Sequence, residues 1–323
     1  MGHKHHPRRG SLQFWPHARS SKHAPRIRAW AENKEKKLLG FIGYKAGMTH
    51  FLVKESNPNS HRKNMEVFTP ATVIECPPLK VYSVRYYAQN EDGDLKLVSE
   101  VFSKKVDKEL GRKIRNSKKE NKAPEHFDRV KITVYTQPKL MGIGKKKPDM
   151  LEIGIGGKDL HEKSAFAQSL LDKDVRVSEV FKDPQHVDVH SVSKGHGFSG
   201  ANTKFPSIKK LQHKSEKGTR GIGTLGPWHP NKVRYSVAQA GKWGYHLRTE
   251  YNKITLKIGS KPEEINPKGG FIRYGLVKTD YLVIKGSLPG PAKRPVAVCE
   301  AIRVKKKLYA MPVTYVSLES KQR

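Results

Sequence analysis

Acidic residues are scarce in this chain: 30 Asp and Glu stand against 63 Lys and Arg in 323 residues, a formal charge of +33 at pH 7. Residues 1–31 contain no acid at all, and between Ser191 and Ile258 only Glu216 and Glu250 face thirteen Lys or Arg. Enzymes that hydrolyse or transfer phosphoryl groups commonly gather carboxylates around a divalent metal, and no such cluster can be assembled from these stretches. Cysteine is nearly missing too. Cys76 and Cys299 lie far apart in apolar contexts, VIEC and AVCE, which reads as two buried thiols of a reducing compartment rather than a disulfide or metal pair. No run approaches the apolar length of a membrane span, and MGHKHHPRRG has no hydrophobic signal region, so a cytoplasmic location and no membrane partner are expected. Hydrophobic residues make up 36%, below the ~45–50% usual for a slightly different residue set. With this much like charge, part of the chain is expected to lie outside any compact body.

What is present is β texture interrupted by basic, aromatic-bearing segments. Residues 1–36 read as a basic N-terminal arm, with seven Lys or Arg and five His by position 31 together with Phe14, Trp15 and Trp30. From 37 to 90 the runs LLGFIGYKAGMTHFLVKE and EVFTPATVIECPPLKVYSVRYYAQ suit short strands of a barrel or sandwich. Residues 91–180 read as a charged α/β insertion. Within it 103–122 forms a solvated helix or loop, RVKITVYTQP and DMLEIGIGG form strands, and DLHEKSAFAQSLLDK has helical apolar spacing. A strand returns at 181–194, a basic-aromatic central extension follows at 195–258, and β texture resumes at 259–323. A structureless stretch as long as the extension is improbable inside a compact domain unless it is functional or disordered. Its aromatic knots GFSGANTKF, GPWHP, VRYSVA and KWGYHLRTEY argue against simple disorder.

Several motifs resemble catalytic or cofactor signatures and fail on context. G-x-G-x-x-G occurs at 195–200 and at 221–226, but the first runs into ANTKFP and the second into PWHP, so neither is expected to open the helix that a dinucleotide site requires. EIGIGGKD (152–159) has Glu152 where a phosphate loop needs glycine and Asp159 where it needs Ser or Thr. HKHH at 3–6 has no cysteine or carboxylate near enough to complete a metal site. No cofactor, metal ion or small-molecule substrate is expected.

The stretch GTLGPWHPNKV (223–233) sets Trp228 between Gly226-Pro227 and His229-Pro230. Two residues without amide donors and one without a side chain exclude a helix or central strand, so this aromatic has to find its partner outside the chain's own core. Cations neutralise phosphates and aromatics stack on unpaired bases. Irregular stacking of this kind favours RNA, because no helix for a DNA major groove is evident. The phosphate-facing candidates in the extension are Lys194, Lys204, Lys209, Lys210, Arg220, Lys232, Arg234 and Arg248, with His196 and His229 as further donors. Trp228, Trp243, Tyr245 and Trp15 are the stacking candidates, packing of the extension's base being the alternative for Trp243 and Tyr245. The arm adds Arg8, Arg9, Arg19, Arg26 and Arg28.

In order and spacing, HPRRGSLQFWPHAR, GFIGYKAGMTH, TPATVIECPP, KGHGFSG, GPWHP, SVAQAGKWGYHLRTE and SLPGPAKRP together resemble the universal large-subunit ribosomal protein L-three family in its archaeal and eukaryotic form. The resemblance implies a mainly β fold, a translation-protein-type β-barrel carrying an α/β insertion, with long basic extensions that run into large-subunit ribosomal RNA. It also implies neighbouring large-subunit proteins as partners, early action in subunit assembly, and a tip tryptophan, here Trp228, near the peptidyl-transferase centre. Pro227 departs from an alanine common in relatives, and Glu216 from a histidine found in some eukaryotic ones. The rivals are an RNA-modifying or RNA-cleaving enzyme and a free nucleic-acid chaperone or chromatin protein.

Overall fold

The apolar runs become strands in a computed structural model that describes residues 14–115, 121–205, 208, 222–304 and 307–322. Two compact units result. One, the body, comprises Lys22–Val192 and Arg248–Arg323; the other comprises Met1–Ser21 and Ser193–Leu247.

Strands β1 (Gly40–Lys54) and β2 (Glu66–Glu75) begin the body's first sheet. β3 (Leu79–Gln89), β4 (Leu95–Phe102), β5 (Arg129–Thr136), β6 (Met150–Gly154) and β7 (Asp174–Val175) make a second sheet, with helices α1 (Leu160–Ser169) and α2 (Val177–Val180) in the same stretch. β8 (His186–Val192) returns to the first sheet. β9 (Gly195–Ser199), the single-turn helix α3 (Ala201–Lys204) and β10 (Gly241–Gly244) belong to the other unit. β11 (Leu247–Gly259), β12 (Tyr281–Lys285), β13 (Pro295–Glu300) and β14 (Val313–Val316) complete the first sheet. Its order is β13-β8-β11-β12-β2-β1-β14, with β13 also paired to β1; the second sheet runs β4-β3-β5-β6, with β7 beside β3. The fold is thus mainly β, in several sheets.

Side chains alternate across a strand with period two, and here both faces find cover. Leu282 and Ile284 of β12 join Ile42, Ile74, Val84, Ile132 and Val134 in one apolar cluster. Tyr281 and Val283, one residue out of phase, join Tyr44, Phe51, Val73 and Phe271 in another. Burying each such side chain contributes roughly 1.5–3 kcal/mol, which is why β12 reads YLVIK, a continuous apolar run. Cys76 and Cys299 are free and buried in the first cluster. Burial pushes the Cys76 thiol well up and Cys299 up to about 12, so neither is a ready thiolate.

A buried carboxylate fixes the loop before β12. Glu75, fully inaccessible, accepts the backbone N–H of Lys278 at 2.7 Å and of Thr279 at 3.0 Å, the Thr279 hydroxyl at 3.1 Å and the Tyr274 hydroxyl. Burial and that neighbouring carboxylate drive the Tyr274 phenol pKa far up. A buried charge is tolerable only when its lone pairs are filled in this way.

Four expected boundaries are corrected. The second sheet begins at Leu79, not 91, because β3 pairs with β4 and β5. The stretch 103–122 is not wholly solvated: a 3-10 turn at Lys108–Arg112 buries Leu110 against Tyr82 and Tyr135, while residues 116–120 lie outside the described set. The arm ends near Ser21, since Pro25 and Ile27 are buried in the body while Arg26 and Arg28 between them point outward. Trp30 lies so close to Gly40 and Gly154 that a Cβ on either would stand 2.8 Å from its ring. Finally, residues 248–258 are a body strand, β11, and not extension; their polar outward positions hid the buried Thr255 and Leu256.

Two outcomes check this packing. Glu75→Ala strands several buried donors and is expected to destabilise the body by about 3 kcal/mol or more, read as a lower midpoint in denaturant. Trp30→Ala empties the space over two glycines at a cost of about 3 kcal/mol; an unchanged midpoint would return residues 22–36 to the arm.

Candidate nucleic-acid interface

The smaller unit concentrates the charge asymmetry. Met1–Ser21 and Ser193–Leu247 together hold fourteen Lys or Arg and one acid, Glu216. Its own core is small: Ala201, Phe205, Ile208 and Ala238, with Trp15 and Ile222 packed against them.

The end of the arm and the base of the extension are stitched into one piece. Ser20 N–H donates to the Tyr245 carbonyl at 2.8 Å, His246 Nδ1 meets the Ala18 carbonyl at 2.7 Å, and Ser193 N–H donates to the His246 carbonyl at 2.9 Å. His17 packs 6.1 Å from the Phe205 ring and 5.8 Å from the buried His246. The sequence treats arm and extension as separate; their pairing is long-range and leaves no local periodicity.

β9 and β10 form a two-stranded ribbon, with Gly241 opposite Ser199, Lys242 opposite Phe198 and Gly244 opposite Gly195. Glycine is required at 244: its φ is +76°, and a Cβ would stand 2.1 Å from the Lys194 carbonyl. This ribbon also corrects the reading of the first glycine motif. A helix does follow it, but α3 is one turn, and Gly195 and Gly197 lie within the strand, with Gly200 at the helix cap, instead of in a turn that could cradle a pyrophosphate.

From 223 to 235 every residue is exposed, and the stretch contains no acid. Trp228 is 84% exposed, and His229, Lys232 and Arg234 stand exposed beside it. The His229–Pro230 bond is cis, and Lys232 N–H closes a tight turn onto the Pro230 carbonyl at 2.6 Å. This tip therefore presents Trp228 and, at its end, Tyr235 (80% exposed) among cations.

The other candidates divide. Lys194, His196 and Arg19 are exposed. Trp243 is half-buried and stacks on His196, centroids 4.2 Å apart at 27°, and half-buried Tyr245, at φ +58°, accepts the Ser20 N–H at the arm junction. Trp15 corrects the expectation of an outward stacker, being half-buried against the small core, 4.6 Å from His17. Lys204 is also drawn inward, its ammonium 5.5 Å from the Phe205 centroid and its pKa lowered by burial. Arg248 starts the body's segment of β11, partly buried, with its pKa likewise lowered by burial. Arg26 and Arg28 are exposed on the body. Arg8, Arg9, Lys209, Lys210 and Arg220 lie outside the described residues.

Sequence reasoning missed Tyr235, 80% exposed next to Arg234, and the exposed ribbon pair Phe198 and Lys242. All three lie in the extension's aromatic knots VRYSVA, GFSGANTKF and KWGYHLRTEY. Among the described residues no group of three or more His, Cys, Asp or Glu is placed to hold a metal. The arrangement can therefore neutralise phosphates and stack on bases, and it brings together no nucleophile and base for catalysis.

Comparison with known proteins finds similarity along nearly the whole chain. The family model described as Ribosomal protein L3 matches residues 1–129 and 124–322. The chain is 44% identical over 326 residues to the large ribosomal subunit protein uL3 of Methanocaldococcus jannaschii, covering 98% of this chain and 97% of that protein. It is similarly 44% identical over 332 residues to that of Methanobrevibacter smithii, at 98% of each, and 42% identical over 337 residues to that of Methanothermobacter thermautotrophicus, at 100% and 99%. With two family-model segments running end to end and relatives matched over their full length, the chain belongs to the ribosomal protein L3 family.

Proposed function

We propose that this chain is a structural constituent of the large ribosomal subunit that binds large-subunit ribosomal RNA through its arm–extension unit, joins the particle early in assembly and carries Trp228 toward the peptidyl-transferase centre. Membership of a ribosomal-protein family sets aside the enzyme rival, and the place of action is the cytoplasmic large subunit. The observation that carries the RNA reading is the exposed, acid-free tip of residues 223–235 with an 84% exposed tryptophan. Uncovered apolar area of that size is unfavourable in water, and stacking on a base would recover roughly 1–3 kcal/mol. The cations around the tip would act as counter-charge between RNA strands.

The second pairing of β13, to β1, supports reading the first sheet as a closed barrel of the translation-protein type. On this reading the body's apolar clusters hold the chain together before RNA arrives, and neighbouring ribosomal proteins meet the body.

Two measurements test the proposal. In a gently lysed extract the protein should co-sediment with large subunits in near-stoichiometric amount, and should stay there when the salt is raised; release at moderate salt would favour a free chaperone. Trp228→Ala should leave the unfolding midpoint of the isolated chain unchanged, because the ring contributes nothing to either apolar core, while slowing late subunit assembly or translation. A lowered midpoint would show that Trp228 faces inward.

A further inference from the structure

The body has an apolar surface that the RNA reading does not use. In β2 the even positions Phe68, Pro70, Thr72 and Ile74 share one face. At Ile74 that face is sealed inside the cluster shared with the second sheet. Farther along it is bare: Phe68 is 61% exposed and Pro70 is exposed. Across β1 and β14 the same face continues through direct cross-strand partners. Tyr315, Leu52 and Phe68 form one row, His50 and Pro70 the next, and Met48 lies opposite Thr72. Tyr315 and Met48 are exposed, as is Met65 just before β2. An antiparallel sheet facing water ordinarily places polar residues there.

The chemistry of this patch narrows what covers it. In a chain of 63 Lys and Arg, none of the side chains just named carries a fixed charge, so the patch offers nothing to phosphate. One face of the Phe68 ring is already taken by His50, stacked at 4.8 Å and 30°, which weakens it as a platform for a base. Beyond the patch the Lys54–Glu66 pair closes the strand ends, and the adjoining loop exposes His61, Arg62 and Lys63 with no acid among residues 56–65. β14 ends the sheet order and has a strand neighbour on one side, β1. An apolar centre with a basic rim is a protein-docking surface.

We infer that the outer face of β14-β1-β2, centred on Phe68, docks a segment of another protein that brings apolar side chains to Leu52, Phe68 and Tyr315 and carboxylates to Arg62 and Lys63. This deepens the ribosomal reading by giving the body a protein contact distinct from the RNA-facing unit, and it rests on that reading for the particle in which the contact forms.

The test places the photo-crosslinker p-benzoyl-phenylalanine at position 68 of the full-length chain in cells, with position 94, an exposed site on the β3–β4 turn, as control. Large subunits are isolated and irradiated, and the adduct is sequenced. The expected result is one protein adduct from position 68, absent from position 94, whose cross-linked peptide carries an apolar run flanked by Asp or Glu. Phe68→Asp, tested with the crosslinker at position 52, should cut the yield of that adduct about tenfold or more, as when a charge replaces an interface hot spot. The same substitution should leave the unfolding midpoint of the isolated chain unchanged, because the ring is exposed. An adduct with RNA, an adduct with a second copy of this chain, or no adduct from position 68 overturns the inference. If the chain sediments outside large subunits, the ribosomal reading fails separately, and the adduct is scored in whichever fraction holds the chain.

Discussion

Like-charge repulsion is the constraint on which the smaller unit depends. Two unit charges 10 Å apart in water repel by roughly 0.4 kcal/mol, and salt screens them beyond about 8–10 Å. The unit's sequence holds fourteen cations and one acid. Against this the unit sets a core whose large fully buried side chains are Phe205 and Ile208, contributing roughly 1.5–3 kcal/mol each. On the proposed RNA reading, a polyanion supplies the counter-charge that the unit's single acid cannot. The backbone bonds that tie Ser20 to Tyr245 and Ser193 to His246 hold the base in register while the tip at 223–235 remains uncovered.

The body answers the same charge differently. Its 0% exposed strand residues come from both sheet faces, and the buried Glu75 and Asp188 are satisfied by nearby backbone N–H donors. Asp188, fully buried, accepts the backbone N–H of Asn252 at 2.8 Å and of Ile302 at 3.1 Å, as Glu75 does for Lys278 and Thr279. Each carboxylate pins a turn by its backbone N–H groups. On the proposed reading, the body carries its basic surface on a scaffold held by these apolar clusters before RNA arrives, and leaves the Phe68 face for the inferred protein contact.

How far this was legible from sequence follows from what each feature depends on. β1, β5, β8 and α1 lie where local runs and spacing put them, because their signals are contained in 7 to 15 consecutive residues. The exposed state of Trp228 was legible from two flanking prolines and a glycine, a purely local veto on regular structure. The errors came from long-range pairing. β3 looks like any half-apolar strand, and only its partners place it in the second sheet. Trp15 reads as an arm aromatic until α3 and Ala238 supply its pocket. Residues 248–258 look basic because their outward side chains are, while Thr255 and Leu256 face in. Tyr235 and Phe198 lie in the aromatic knots VRYSVA and GFSGANTKF, but their exposure depends on the fold around them.

The buried state of both cysteines makes the central claim directly measurable. Trp228→Cys would introduce an exposed thiol into a chain whose native thiols are sequestered with raised pKa values, so an iron–EDTA reagent can be tethered there in assembled large subunits and made to generate hydroxyl radicals. The account predicts cleavage of large-subunit ribosomal RNA confined to one neighbourhood at the peptidyl-transferase centre. Cleavage scattered over many RNA regions, or none above an untethered control, would contradict it.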